Sequence, residues 1–529
     1  MTHGGRTNEC QITQKKSHVR AGPSKIHYGC LAVPEISLYS LIGFGSISYV
    51  LYSIFRDSDV YQDYLNAYDF EDGWKILGRR KDISNFEWTF WYRYFWQLVP
   101  WYSGHIVISK LLEFEFKDAR KHVFLTYSLV CVSFVLGWRV VLFFIGHCCS
   151  IFLVSSLKSS VAVWITSLSL LATLNYEYFL PFMKWLCAIQ EDTQERAVYL
   201  FLFELALVNL RYTSFCLEKC KSSSSLKKTP DCYGMLDMLL YVFYIPLFFT
   251  GPLLTYDKFV IQINNCQQKW TLEKLYPILR DFVRVLFWAV FIEFILHYMY
   301  FNALMQNVHL LKSISVWTLV GIGYSQGQFF MVKYLVMYGL PSQIARLDHI
   351  DPPKWPKCIS YIIRYSDMWK YFDRGLYSFL KRYIYIPFGG SQAGMLKRLA
   401  GSLTCFVYIY FWHGAEFHLL LWSIFNFLGS AVELFAAWLE QTKPIVKLET
   451  ELLSPASVRR LHATLVVPLF LLSAFAIFFF FGGEEVGSIF FERLVTKASF
   501  PSLVVFYFLM YCSMQNAMEV EQRLKVKRD

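Results

Sequence analysis

The sequence predicts an all-α, polytopic integral membrane protein with about ten transmembrane helices plus re-entrant segments. Of its 529 residues, 55% are hydrophobic, 19% are aromatic and only 17% are charged, whereas soluble chains carry about 25% charged residues. Apolar runs of about 18 residues or more, the length that crosses a bilayer as a helix, recur along the whole chain. Because Lys and Arg fall between these runs, the net charge of +11 fits basic cytoplasmic loops better than nucleic-acid binding.

The first 35 residues form a polar, basic tail that lacks the apolar core of a cleavable signal peptide. We predict the first span at 36–55, and Asp57, Asp59 and Asp63 follow it. Since basic flanks stay on the cytoplasmic side, tail 1–35 is expected in the cytoplasm, before a transmembrane catalytic domain over 36–516 and a C-terminal tail over 517–529.

The C-terminal tail ends Lys525-Val-Lys527-Arg-Asp529. This spacing resembles the dilysine retrieval signal of endoplasmic-reticulum membrane proteins, which predicts a location there, with the Golgi as a second location. A snorkelling helix end is the alternative.

A charged, tryptophan-rich segment at 71–93 is typical of the membrane interface, where indole rings and cations are both favoured. The spans beyond it are interrupted by Arg139 and Glu177, so several are expected to be short, tilted or re-entrant. A basic, Ser-rich linker is predicted at 216–231. The predicted spans lie near 94–113, 122–137, 140–157, 160–175, 179–190, 197–215, 282–304, 315–340, 463–482 and 500–516.

Residues 241–252 contain Pro246, Gly251 and Pro252, which interrupt any simple spanning helix. Basic residues on both flanks place the two ends on one side of the membrane. The segment is therefore predicted to dip in and turn back, or to form a broken helix that lines a cavity.

The longest break in hydrophobicity is 344–399, where ten Lys and Arg stand against four Asp. This balance predicts a basic, amphipathic region on the cytoplasmic side, and it carries Asp373. Its Lys381 and Arg382 are candidates to bind the phosphates of a cytoplasmic cofactor, or to anchor to anionic lipid. Residues 400–428 then return to the membrane and carry His413.

Ionisable groups inside a membrane are costly, so His413 is a functional candidate. A neutral imidazole, with an ordinary pKa near 6.5, suits a general base that takes a proton from an amine or hydroxyl. The alternative is a hydrogen-bonded structural histidine. Zinc is disfavoured because His418 lies five residues on, off the common helix face. For Asp373, an ion pair with Arg374 or Lys370 is an equal alternative.

Aromatic residues accompany both candidates at helical spacing. Trp369 lies one turn before Asp373 and Phe406 lies two turns before His413, so each shares a face with its partner if the segments are helical. These rings would wall one cavity, although ordinary aromatic packing also explains them.

A basic loop carrying Asp, followed about forty residues later by a membrane-embedded Trp-His-Gly, resembles the membrane-bound O-acyltransferase family. Longer strings resemble the branch of that family that acylates secreted signalling proteins, and they cover most of the chain from about residue 70. The strings are Trp74, Phe86-Glu-Trp88, Arg211-Tyr-Thr-Ser-Phe215, Phe249-Thr-Gly-Pro252, Leu347-Asp-His-Ile-Asp-Pro-Pro353, Pro356-Lys-Cys358, Tyr371-Phe-Asp-Arg-Gly375, Tyr383-Ile-Tyr-Ile-Pro387 and Phe411-Trp-His-Gly414.

The resemblance implies transfer of palmitate from palmitoyl-CoA to the N-terminal cysteine amine of a secreted signalling protein, of Hedgehog type or EGF type. It places the family's catalytic His on His413 and its essential Asp on Asp373. An acyl-CoA pocket would include Trp369, Phe406, Trp412, Lys381 and Arg382. The family's haem-ligating Cys would be Cys358, for which a structural cysteine is the alternative from the residues alone.

Three other functions stay open at this point. An acyltransferase of the same family could act on a serine hydroxyl or a lipid alcohol. A transporter could use His413 as a proton relay, and a catalytically silent regulator could bind a signalling protein without modifying it.

Overall fold

The computed structural model describes residues 29–114, 119–173, 177–187, 194–223, 232–264 and 270–526. Most of the predicted N-terminal tail, half of the 216–231 linker and the last three residues of the predicted C-terminal tail lie outside these ranges, whereas residues 517–526 of that tail are helical. The described chain is almost wholly helical, which confirms the all-α prediction. The helices are α1 Val33–Tyr61, α2 Phe86–Phe114, α3 Arg120–Leu136, α4 Trp138–Ser155, α5 Ser160–Ala172, α6 Leu180–Cys187, α7 Gln194–Ser223, α8 Met235–Phe243, α9 Ile245–Phe248, α10 Tyr256–Asn264, α11 Leu272–Ile295, α12 Phe301–Gln306, α13 Val308–Ser313, α14 Val316–Leu347, α15 Tyr365–Phe372, α16 Arg374–Leu380, α17 Met395–Trp412, α18 Phe417–Leu439, α19 Lys443–Lys447, α20 Pro455–Phe491 and α21 Phe500–Val526.

Among the described residues, six helical stretches are long and apolar enough to cross a membrane. They support the polytopic prediction, while the number of about ten crossings stays a prediction. Large apolar side chains face outward along the helices, as expected where lipid replaces water as the solvent. Examples are Phe44, Phe134, Leu142, Ile165, Phe287 and Val505. The six stretches are Val33–Tyr64, Trp138–Ser155, Ala197–Ser222, Phe417–Leu439, Pro455–Thr496 and Phe500–Leu524.

A small antiparallel hairpin follows α1, with strands β1 Phe70–Asp72 and β2 Arg80–Asp82. Buried Asp82 fixes it to the bundle, because the backbone N–H groups of Asn302 and Ala303 donate to its carboxylate at 3.2 Å each. The sequence predicted an interfacial segment here and a span from residue 94. In the structure, α2 already begins at Phe86.

The break predicted within 241–252 is present between α8 and α9, and the chain is non-helical again before α10. Pro246 cannot donate a backbone hydrogen bond, so the break leaves carbonyl groups without helical partners. The buried guanidinium of Arg211, on α7, donates to three of them, the carbonyl oxygens of Val242, Leu247 and Phe248. One cation thus satisfies the backbone of the broken pair.

Two buried apolar clusters fill the bundle. The first joins α2–α10 to α16 and α17, and the second joins α1, α2, α11, α12, α14 and α20. Trp369 and Trp412 pack against the first cluster, whereas Phe372 packs against the second. The residues around Asp373 and His413 therefore lie where the two clusters meet.

Candidate active site

Asp373 lies between α15 and α16 and caps the second of these helices. Its Oδ1 accepts the backbone N–H of Leu376 at 2.8 Å, and its Oδ2 accepts the hydroxyl of Tyr338, on α14, at 2.9 Å. Within the described residues it forms no ion pair with Arg374 or Lys370, so the alternative considered from the sequence is wrong. The carboxylate is instead fixed in orientation by one backbone and one phenol donor.

Gly375 lets the Asp373 turn approach the broken helix. A Cβ at this position would lie 2.4 Å from the carbonyl oxygen of Leu253. No side chain fits at that distance, so the string Asp373-Arg-Gly375 needs its glycine for backbone packing.

His413 ends α17, and the predicted segment 400–428 is two helices joined by a turn. Gly414 (φ 117°) and Ala415 (φ 58°) reverse the chain before α18 begins. The imidazole packs edge-on against three rings, with centroids 4.8 Å from Trp412, 5.3 Å from Trp422 and 5.2 Å from Phe480. It makes no hydrogen bond to another described residue, so its nitrogens are not committed to a structural partner.

Aromatic rings connect the two candidates. Phe480, beside His413, lies 6.0 Å from Phe330, and Phe330 stacks at 4.9 Å on Phe372, the neighbour of Asp373. Asp373 and His413 lie deep among the helices, yet both keep part of their surface accessible. Each therefore presents part of its surface in an apolar environment.

One face of α14 is less buried than the rest of the helix. Phe330, Tyr334 and Tyr338, spaced one turn apart, are only half-buried, whereas the residues between them are buried. This periodic exposure within a packed helix is what a lining face shows.

The predicted aromatic wall is present near both candidates. The Trp369 ring lies 5.0 Å from Phe406 and 5.6 Å from Trp422, and its indole N–H donates to Asn426 Oδ1 at 3.2 Å. Trp422 in turn contacts His413. Trp412 turns its indole N–H to the carbonyl oxygen of Ala206 at 3.1 Å.

Sequence reasoning missed the polar cluster of Glu87 and Lys333. Glu87 Oε2 accepts a hydrogen bond from the Lys333 ammonium, and Oε1 accepts one from the Tyr334 hydroxyl at 2.7 Å. The Tyr334 ring lies 4.9 Å from Phe330, next to the Phe480 ring that packs on His413. A lysine inside the predicted span 315–340 was the available signal, because a charge there needs a partner.

Lys381 and Arg382 differ in their surroundings. Lys381 is exposed. The Arg382 guanidinium makes a two-point contact with Glu218, at 2.6 and 3.0 Å, and also lies 3.2 Å from Asp257. The Glu218 carboxylate raises the pKa of Arg382 further above its ordinary value. To bind a phosphate of the cofactor, Arg382 would have to break its ion pairs with Glu218 and Asp257.

Cys358 lines a cavity of about 660 Å³ on the basic region. The chemistry of the lining fits a haem: a thiol for the iron, the Trp355 ring, and cations for the propionates. Arg374 fits this role best, because its buried Nε has no hydrogen-bond partner among the described residues. The other basic lining residues are Lys274, Arg280, Arg284, Arg346, Lys354 and Lys357.

Comparison with known proteins points to the same family as the sequence motifs. The family described as "MBOAT, membrane-bound O-acyltransferase family" matches residues 147–475. The chain is similar to the mouse (Mus musculus) protein-cysteine N-palmitoyltransferase HHAT, with 33% identity over 90% of this chain and 96% of that protein.

Two further relatives match over similar lengths. The mouse protein-cysteine N-palmitoyltransferase HHAT-like protein is 28% identical over 94% of this chain and 97% of its own. The Drosophila melanogaster protein-cysteine N-palmitoyltransferase Rasp is 28% identical over 91% and 94%.

Proposed function

The chain belongs to the membrane-bound O-acyltransferase family and is a membrane acyltransferase that uses an acyl-CoA donor; from that premise we propose that it transfers palmitate from palmitoyl-CoA to the N-terminal cysteine amine of secreted signalling proteins. The acceptors are of Hedgehog type or EGF type, and the proposed location is the endoplasmic reticulum membrane, with the Golgi second. The observation that carries the proposal is the pair Asp373 and His413, which are connected through the rings of Phe372, Phe330 and Phe480. We infer that these rings wall the internal space in which the reaction takes place.

The substrates reach this space from opposite sides of the membrane. The CoA phosphates bind basic side chains of the 344–399 region on the cytoplasmic side, and the acceptor enters from the lumen. The acyl chain lies among apolar rings such as Trp369 and Phe406, where each buried CH₂ contributes about 0.8 kcal/mol. Holding thioester and amine end to end supplies a large part of the rate enhancement.

His413 acts as the general base in this scheme. The acceptor nitrogen attacks the thioester carbonyl carbon, the C–N bond forms and the C–S bond breaks, so that CoA leaves as its thiol. His413 takes the proton lost by the amine and passes it to the departing sulfur, for which its uncommitted nitrogens suit it. Asp373, whose direction is fixed by Tyr338 and the α16 backbone, positions the thioester end of the donor.

Haem is a second proposed ligand. Cys358 would hold the iron through its thiolate, and Arg374 would pair with a propionate. A bound haem would supply a redox-active iron, while acyl transfer is carried out by the protein's own side chains. An absorbance spectrum of the purified protein tests this: a Soret band that is lost in Cys358→Ala supports the assignment, and its absence from the wild type contradicts it.

The acyl-transfer proposal is tested with labelled palmitoyl-CoA and an N-terminal-cysteine peptide, beside the same peptide with its amine acetylated. Wild type should label the free peptide and His413→Ala should not. Labelling of the acetylated peptide would instead indicate a thiol or hydroxyl acceptor. Lipid alcohols added to the same assay test the remaining acceptor class of the family. Labelled lipid in place of labelled peptide would indicate that class.

A further inference from the structure

The Glu87–Lys333 pair lies beside the candidate site and takes no part in the scheme above. Lys333 is covered by the rings of Phe330 and Tyr334, at 5.2 and 5.6 Å from its ammonium. Its side chain is 4% exposed, whereas that of Glu87 is 20% exposed. The pair is neutral overall, but the end that remains accessible is the negative one.

The Glu87 carboxylate has capacity for another donor. Two oxygens offer about four acceptor positions, and Lys333 and Tyr334 occupy one on each oxygen. Tyr334 belongs to the half-buried face of α14. Its ring lies 4.9 Å from Phe330, which contacts the Phe480 ring that packs on His413. The free acceptor positions of Glu87 therefore belong to the same region as the imidazole.

The position of Glu87 favours the acceptor over the donor. It lies in the first turn of α2, directly after the hairpin and on the side that the acidic stretch after α1 assigns to the lumen. Asp373 contacts α14 at Tyr338, one turn nearer the end that carries Arg346 and the basic cavity. An acceptor entering past the hairpin therefore meets Glu87 before Asp373.

We propose that Glu87 is the residue that binds the α-ammonium group of the acceptor's amino terminus and places it beside His413, where the ammonium releases one proton to solvent before the free amine attacks. Lys333 and Tyr334 hold the carboxylate so that its free side faces the incoming cation. The inference rests on the proposed function and adds to it a means of selecting an unblocked amino terminus. Charge-assisted hydrogen bonds of this kind are short and directional.

The double variant Glu87→Gln/Lys333→Met tests the proposal, because it removes both charges and leaves no lysine buried alone. We expect the KM for the cysteine peptide to rise about 10-fold or more, the effect of losing a hydrogen bond to a charged group. The KM for palmitoyl-CoA and the thermal midpoint should match those of the wild type. A purely structural ion pair predicts an unchanged peptide KM, and that result would overturn the proposal.

A peptide whose terminal amine is replaced by hydrogen isolates the interaction. As a competitive inhibitor it should bind the wild type and the double variant equally well, since it carries no donor for the Glu87 carboxylate. Weaker binding of this peptide to the double variant would contradict amine recognition.

Two further variants serve as comparisons. Glu71→Gln removes a carboxylate that also holds two cations, Lys81 and Arg93, in the hairpin away from His413. It should leave the peptide KM unchanged. If Asp373→Asn raises that KM and the Glu87 double variant does not, Asp373 is the amine-binding residue and the proposal fails. Absence of transfer by the wild type itself would refute the proposed function instead.

Discussion

Asp373 and His413 are held in the fold by different kinds of contact. Asp373 accepts two hydrogen bonds and caps a helix, so its orientation is set by polar donors. His413 is held by three aromatic rings and by a turn with positive φ angles. The comparison indicates a division of roles: the carboxylate is both structural and functional, whereas the imidazole contributes little to stability and is free to exchange a proton.

Replacing His413 should give the largest effect on transfer. His413→Ala removes the general base, a loss of about 10²- to 10⁴-fold in rate, and should leave the thermal midpoint close to that of the wild type because no hydrogen bond is lost. The matched control is His418→Ala, whose imidazole pairs with exposed Glu416 at 3.3 Å. The transfer of labelled palmitate is measured for both variants. An equal loss of transfer in His413→Ala and His418→Ala would contradict the role of His413 as general base.

Two substitutions of Asp373 should separate its contribution to stability from its contribution to transfer. Asparagine is as good a helix cap as aspartate, whereas alanine is not and costs about 0.5–2 kcal/mol. Asp373→Asn should therefore keep the thermal stability and lose transfer by about 100-fold, the scale of a lost preorganised polar group. Asp373→Ala should lose both. Wild-type transfer in the Asn variant would reduce Asp373 to a capping residue.

Tyr338→Phe should have a smaller effect, because it removes one neutral donor and leaves the cap of α16 in place. Loss of a hydrogen bond of about 0.5–1.5 kcal/mol predicts a 2- to 10-fold decrease in transfer. The decrease should appear in kcat at saturating palmitoyl-CoA. Tyr127→Phe, which removes a hydroxyl that donates to the carbonyl oxygen of Trp101 outside the site, is the comparison variant.

Asp82 provides a buried carboxylate outside the site and the smallest effect on transfer. Burial raises its pKa to about 6, above an unfolded value of about 3.9. The folded state thus binds the proton more tightly, so the contribution of Asp82 to stability should be largest below about pH 4 and fall as the pH rises to about 6. Asp82→Asn should flatten this profile of thermal midpoints and change transfer less than twofold. A profile that persists in the variant would assign the pH dependence to another group.

The sequence predicted the positions of most long helices because hydrophobicity over about 18 residues is a strong signal. The predicted span 282–304 was wrong as a single helix, since α11 ends at Ile295 and α12 begins at Phe301. The break near Pro246 was equally predictable, since proline and glycine interrupt helices for local steric reasons. The hairpin was not predictable from the sequence. Its strands, Phe70–Asp72 and Arg80–Asp82, are short and charged. The contacts that fix Asp82 come from Asn302 and Ala303, 220 or more residues away.

The site shows the same limit. Asp373 and His413 were selected because charges inside apolar segments are rare, but the turn after Trp412 depends on the positive φ of Gly414 and Ala415. The pairing of Arg382 with Glu218 and of Glu87 with Lys333 joins segments 164 and 246 residues apart, beyond any local pattern.

The Arg211 guanidinium has a consequence for how the protein is assembled. In lipid, a lone arginine on α7 and a set of bare carbonyls at the α8–α9 break would each be expensive. Each relieves the other, through contacts with residues 31 to 37 positions later in the chain. Because each segment stabilises the other in lipid, we expect α7 and the α8–α9 pair to leave the insertion machinery together. Helix α7 would stay there until α8 and α9 have been synthesised.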